Sequence, residues 1–181
     1  WADAKAAEID RLEAIYRKLL SDSGVELAQG RARLLGGGRV AIGSRIVRAT
    51  RILVATGGAP AHDALPGLAT AMTSNDVLDM RVLPASLLVV GGGYIAVEFA
   101  TILAGLGAKV SLAFRDTLPL RGFDLDLRQR LAQALTARGI PLAAGVALES
   151  LSSGADGYTL HRADGSAVQA SAALNATGRR P

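Results

Sequence analysis

The run Leu87-Leu88-Val89-Val90 ends in Gly91-Gly92-Gly93-Tyr94-Ile95-Ala96, a G-x-G-x-x-A spacing. Gly91 permits a tight strand-to-helix turn, and Gly93 lets the backbone approach a pyrophosphate. Ala96 lets the following helix pack close to the strand. The free N–H groups and positive dipole end of that helix then face phosphate oxygens. A glycine pattern alone can be an ordinary turn in an α/β core. Here it lies between a predicted strand and a predicted helix, with another strand about twenty residues on, and that context points to dinucleotide binding.

The tip of that next strand chooses the nucleotide. NAD sites usually carry an acid there to accept from the ribose hydroxyls. This chain has Phe114-Arg115-Asp116 and then Arg121. A guanidinium cannot accept a hydrogen bond but can clamp a 2′-phosphate, so two arginines favour NADP(H) over NAD(H). The other possibility is that Asp116 takes the acidic role while both arginines are solvated. Glu98 lies one helical turn after Tyr94 in an otherwise apolar stretch, without a nearby cation in the sequence. Either it faces solvent or another part of the protein supplies its partner; the apolar surroundings favour a partner.

Composition excludes several chemistries. There is no cysteine, hence no disulfide scaffold, thiolate metal site or dithiol chemistry within these 181 residues. The two histidines, His62 and His161, are far apart, so a metal site is not expected. Net charge is +4, but only Lys5, Lys18 and Lys109 are lysines and the arginines are scattered among acids. No nucleic-acid surface is expected from that pattern, and aromatics at 4% are too few for a base-stacking platform. The most hydrophobic window, Leu87–Leu106, contains three consecutive glycines and Glu98, which argues against a membrane span. A soluble, cytoplasmic α/β protein is expected.

The elements that must position these residues follow from periodicity. Residues 1–20 form an amphipathic helix with Ile9, Leu12, Ile15, Tyr16, Leu19 and Leu20 on one face. Short runs at Val25–Ala28, Arg31–Leu35, Arg39–Ile42 and Arg45–Arg48, separated by glycines, predict an antiparallel meander. Arg51–Ala55 reads as a buried strand ending at Thr56-Gly57-Gly58, and Ala59–Gly67 as a linker. From Ser86 the pattern is βαβ: strand Ser86–Val90, helix Tyr94–Gly105 with Ile95, Phe99, Ile102 and Leu103 inward, and strand Lys109–Phe114. A helix Asp124–Arg138 follows, with Leu127, Leu131 and Leu135 on one face and a stop at Gly139. A strand at Ile140–Ala144, a hairpin of Gly157–His161 with Ala167–Ala170, and a strand at Ala172–Ala176 complete the reading. Length fits one domain and part of another.

These residues together resemble the flavoprotein disulfide reductases, and within them the glutathione-reducing branch. The resemblance rests on Gly91 through Ala100, on Leu120-Arg121-Gly122-Phe123-Asp124, and on two A-T-G motifs, Ala55-Thr56-Gly57-Gly58 and Ala176-Thr177-Gly178-Arg179-Arg180-Pro181. It covers essentially the whole chain. It implies a Rossmann-like NADP-binding domain over residues 68–181, a parallel sheet with helices plus an antiparallel β-meander. Residues 1–67 would be the C-terminal part of an FAD-binding domain.

By position, the resemblance assigns Gly91, Gly92, Gly93, Tyr94, Ile95, Ala96, Glu98, Arg115, Arg121, Gly178 and Arg179 to NADPH. Tyr94 would cover the flavin-side pocket and move aside for the nicotinamide, and Glu98 would pair with a lysine outside this chain. Ala32, Thr56 and Gly57 would line FAD through their backbones, and Tyr16 would touch glutathione disulfide. No catalytic residue is assigned within the chain. The redox cysteine pair and the first glycine-rich motif are expected before residue 1. The ribityl-binding acid and the His–Glu pair are expected after Pro181. The chain is thus expected to be the middle of a homodimeric NADPH-dependent enzyme, inactive by itself. Trypanothione reductase and dihydrolipoamide dehydrogenase share much of this pattern and stay as alternatives, as does a non-catalytic NADP-binding module.

Overall fold

Leu87, Leu88, Val89 and Val90 are all wholly buried, although successive strand residues face opposite ways. Such a strand must have both faces covered, as parallel sheets do. In the computed structural model, which describes residues 2–62 and 64–181, this is how the chain is organised around it.

The elements, in order, are α1 (Ala2–Asp22), β1 (Ala32–Gly36), β2 (Arg39–Ile42), β3 (Arg45–Arg48), β4 (Ala59–Pro60), α2 (Ser74–Leu78), β5 (Ser86–Val90), α3 (Tyr94–Gly105), β6 (Lys109–Ala113), α4 (Leu125–Ala137), β7 (Leu142–Ala143), β8 (Leu148–Gly154), β9 (Gly157–Arg162), β10 (Ala167–Ala170), β11 (Ala172–Asn175) and β12 (Arg179–Arg180). A 3₁₀ turn at Leu68–Thr70 precedes α2. They divide into two compact units, residues 1–57 and 58–181.

The second unit has three layers. Its middle is a parallel sheet of order β11-β5-β6-β7. Leu87 and Val89 of β5 pack with Ala96, Ala100 and Leu103 of α3, Leu135 of α4 and Val77 of α2. Leu88 and Val90 point the other way, onto Leu151, Leu160 and Ala170 of the antiparallel sheet β10-β9-β8 and onto Leu65 and Leu68. Ala59, Pro60 and Leu65, expected in the first unit, pack here. Ala59 and Pro60 pair with Arg180 and Arg179, and Leu65 joins the core.

The first unit has no buried residue among those described. Helix α1 buries no residue and is laced by ion pairs, Glu8–Arg11 at 2.7 Å, Lys18–Asp22 at 2.8 Å, and Glu13–Arg17. Such exposed pairs are screened by solvent and contribute little to stability. The three-stranded meander β1-β2-β3 forms as expected, whereas Val25–Ala28 is not a strand.

Three further expectations need correction. Arg51–Ala55 is neither a strand nor buried; Leu53 is 90% exposed. An apolar run becomes a buried strand only when neighbours pair with its backbone, and none does so among the described residues. In α3 the inward stripe is Ala96, Ala100 and Leu103, with Ile102 turned outward. Small residues face the sheet because the helix lies close to it. Strand β8 has no counterpart among the expected elements. Its run Leu148-Glu149-Ser150-Leu151-Ser152-Ser153-Gly154 has weak strand propensity, and pairing with β9 along its length overrides that.

Candidate nucleotide-binding site

The glycine turn is set by the ends of the strands on either side of it. The Gly91 N–H donates to the Ala113 carbonyl at the end of β6, 2.8 Å away. A Cβ on Gly91 would lie 2.3 Å from the Ala176 carbonyl oxygen just past β11, and its φ is +138°. Both sterics and backbone conformation therefore demand glycine here. At Gly93, the residue before α3, the situation is different: the backbone is extended, and a Cβ there would meet nothing within 4 Å. That space opens onto the first turn of α3, whose N–H groups no side chain caps. Ala96 is wholly buried, and the half-buried Ile95 packs against the core.

Beside this turn lies a cleft of about 730 Å³. Gly91, Gly92, Gly93 and Tyr94 line one side, and Arg115 and Arg121 line another, with Thr177 at its edge. Both arginines are exposed. The loop between them is fastened at several points. The Leu120 N–H donates to the Gly92 carbonyl at 2.7 Å, tying the loop to the glycine turn. Leu120 has φ +54°, a left-handed conformation unfavourable for a leucine, and it aims the chain into Arg121-Gly122-Phe123. Asp124 then caps α4, its carboxylate accepting from the Asp126 and Leu127 N–H groups. The Leu-Arg-Gly-Phe-Asp motif is thus a turn, a cleft cation and a helix cap in succession.

Asp116 also lines the cleft, but its oxygens are engaged. One accepts the Thr117 N–H at 2.8 Å; the other meets the Arg128 guanidinium at 3.1 Å. The Thr117 N–H foremost, and Arg128 and Arg121 after it, hold the Asp116 carboxyl below the ordinary carboxylate value against an opposing effect of burial. Arg128 also donates to the Leu118 carbonyl at 2.8 Å and the Pro119 carbonyl at 2.7 Å.

The remaining expected site residues are distributed more widely. Glu98 is exposed and lines a second groove, with Val97 and Leu127, that shares Tyr94 and Leu120 with the cleft. Tyr94 is 60% exposed at the junction of the two. Gly178 is exposed, and its carbonyl accepts the Ala61 N–H at 3.0 Å. Arg179 is outside the cleft: its guanidinium donates to Ser74 Oγ at 3.1 Å and to the Gly58 carbonyl. Ala32, Thr56, Gly57 and Tyr16 belong to the first unit and are all exposed, Tyr16 at 64%.

Two residues matter that the sequence reading does not single out. Arg128 is one. The other is Asn175, a buried amide whose oxygen accepts from Thr177 N–H at 3.1 Å and Thr177 Oγ1 at 2.8 Å, while its nitrogen donates to the Ala61 carbonyl at 2.6 Å. Asn175 therefore sets Thr177 at the edge of the cleft. A polar residue directly after the apolar Ala172-Ala173-Leu174 is the available signal for it. Arg128 carries none, because an arginine on an amphipathic helix ordinarily faces water.

The chain has relatives in sequence and in fold. Residues 2–181 match the family described as pyridine nucleotide-disulphide oxidoreductase. The chain is 40% identical over 178 residues to a glutathione reductase of Burkholderia cepacia, covering 98% of this chain and 40% of the relative. It is 36% identical over 177 residues to a glutathione reductase of Nostoc sp., covering 96% of this chain and 38% of the relative. A mercuric reductase of Bacillus cereus is 30% identical over 171 residues, covering 92% of this chain and 27% of that protein. Among solved structures, the HOCl-induced flavoprotein disulfide reductase RclA from Escherichia coli superposes with a TM-score of 0.88 at 25% identity, over 99% of this chain and 42% of that one. The chain thus spans about 40% of the length of the glutathione reductases it matches. A match running from the first described helix to the last residue, on a shared architecture, makes this chain a member of the pyridine nucleotide-disulphide oxidoreductase family.

Proposed function

We propose that the second unit binds NADP(H), and that the chain serves an NADPH-dependent, FAD-containing glutathione-disulfide reductase. The observation that carries the nucleotide reading is the pairing of Arg115 and Arg121 in the cleft beside the glycine turn, while the nearby acid, Asp116, is already occupied. Asp116 is committed to fixing its own loop, and two exposed guanidinium groups suit a 2′-phosphate.

The residues present fit the group. The open space at Gly93 and the uncapped start of α3 receive the pyrophosphate. Arg115 and Arg121 hold the 2′-phosphate, and Tyr94 covers the nicotinamide end. A bound nicotinamide supplies a hydride donor. The chain's own part is to hold that donor in place and to choose between phosphorylated and unphosphorylated adenosine.

For the whole protein, the identity to two glutathione reductases supports glutathione disulfide as substrate over trypanothione or a lipoamide substrate. The arginine pair speaks further against an NAD-using dihydrolipoamide dehydrogenase. In this reading Ala32, Thr56 and Gly57 line FAD, Tyr16 touches glutathione disulfide, and Glu98, Gly178 and Arg179 lie on the NADPH side. The whole protein is then a cytoplasmic homodimer, and this chain alone does not turn over. Among the described residues no helix is long and apolar enough to cross a membrane.

Calorimetric titration with NADPH and with NADH tests the nucleotide reading. NADPH should bind more tightly. Arg115→Ala and Arg121→Ala should each weaken NADPH by about ten- to a hundredfold, the scale of a lost charge-assisted contact of roughly 1.5–3 kcal/mol. Equal affinity for the two nucleotides would overturn NADP(H) selectivity and return the chain to its NAD-using relatives.

A further inference from the structure

We infer that Arg128 is a positioning residue for nucleotide selectivity: from α4 it holds the 116–119 loop and its acid in place so that Arg115 and Arg121 are left to the ligand. The inference rests on the NADP(H) reading above and assigns a role to a side chain outside the cleft.

Three bonds from one guanidinium carry it. Nε donates to the Pro119 carbonyl, and Nη2 donates to the Leu118 carbonyl and to Asp116 Oδ2. The Arg128 side chain is only 15% exposed, against an ordinary expectation of a solvated arginine on a helix face. The planar fork suits this task, since it presents several donors in fixed directions where an ammonium offers a point charge. Pro119, whose carbonyl it takes, is itself fully buried. From the other side, Gly145 N–H reaches the Asp116 carbonyl at 2.9 Å and Leu120 N–H reaches Gly92. The segment between Arg115 and Arg121 is thereby tied to α4, to the chain after β7 and to the glycine turn.

Two consequences follow from removing Arg128. The carbonyls of Leu118 and Pro119 lose their donor, so the loop before Arg121 gains conformational freedom that binding must then remove. Asp116 also loses its cation. Its carboxylate, at the cleft wall, becomes an unpaired anion facing Arg121 and any incoming 2′-phosphate. Both effects fall foremost on the contacts to the 2′-phosphate. NADH has no phosphate there, so its affinity should change far less than that of NADPH.

The test is calorimetric titration of the full chain with NADPH and NADH separately, for the wild type and for Arg128→Met, Arg128→Lys and Arg138→Met. Arg138 is exposed at the end of α4 and makes the same change of charge without a loop contact. Arg128→Met should lose about tenfold in NADPH affinity, on the scale of one charge-assisted contact, with NADH unchanged within about twofold. Arg128→Lys should fall between, and Arg138→Met should match the wild type. Should Arg128→Met fail to fold, Arg128→Lys reads the same ratio. A folded variant with an unaltered NADPH-to-NADH ratio, or one in which both affinities fall together, overturns the positioning role while leaving NADP(H) selectivity intact. A wild type without preference overturns the underlying reading and this role with it.

Discussion

Asp116 illustrates how one side chain's partners decide its chemistry. By type and position it could have been the acceptor that marks an NAD site. The Thr117 N–H and Arg128 instead hold it as a bonded carboxylate, with its pKa below the ordinary value. A group whose folded pKa is depressed contributes stability that is fully present above its unfolded pKa, about 3.9 for Asp. That contribution is lost as the pH falls through the lower, folded value. Thermal melts of the wild type and Asp116→Asn should therefore differ most near neutral pH, with the wild type higher. The gap should close progressively as the medium is acidified below about pH 4. A gap that stays constant through that range would mean the carboxylate's charge contributes nothing to the fold. Residue identity was legible from the sequence here, but its bonding was not, because Arg128 comes from a separate helix.

Among the elements, α4 contributes no lining residue to the cleft but anchors the loop that carries Arg121. It starts where Asp124 caps it and carries Arg128 one turn later, so the cap sets the height at which the guanidinium meets the loop. Asp124→Ala should destabilise the second unit by about 1 kcal/mol, the usual scale for a lost N-cap. A urea denaturation midpoint measures this. An unchanged midpoint would show that the first turn of α4 is held by packing alone. The helix was legible in the sequence from its leucine spacing, its start at Asp124 and its stop at Gly139. Its inner face was legible only in part: Leu135 is buried, whereas Leu127 is half-exposed on the second groove. Periodicity locates a stripe, but how deep each member lies depends on what the neighbouring layer brings to it. Strand β8 marks the limit of that approach, since its serines give no strand signal and its partner β9 creates it.

At the scale of the whole molecule the two units differ in kind. Every fully buried residue among those described lies in residues 58–181, and α1 and the β1-β2-β3 meander have none. Protection from hydrogen exchange follows buried contact, so amides of Leu87–Val90 should exchange orders of magnitude more slowly than those of Arg39–Arg48. Exchange read by mass spectrometry checks this directly. Comparable protection in both segments would mean that the first unit is stabilised by something other than its own core. The exposed run Ile52-Leu53-Val54 agrees with the same contrast. Its composition predicts a buried strand, but composition cannot say whether a partner strand is at hand.

What the sequence by itself determined was local: the G-x-G-x-x-A turn, the helices and strands flanking it, the arginines at 115 and 121, and the cap at Asp124. Each depends on residues within a few positions of one another, where backbone geometry and side-chain spacing act directly. The tertiary structure decided the remainder. It made Gly91 obligatory through the Ala176 carbonyl, drew Arg179 away to Ser74 and Gly58, and tied Asp116 to Arg128. These outcomes depend on which groups distant in the chain come within bonding distance. A charged side chain takes its role from its nearest partner in space, and only the packed layers determine which partner that is.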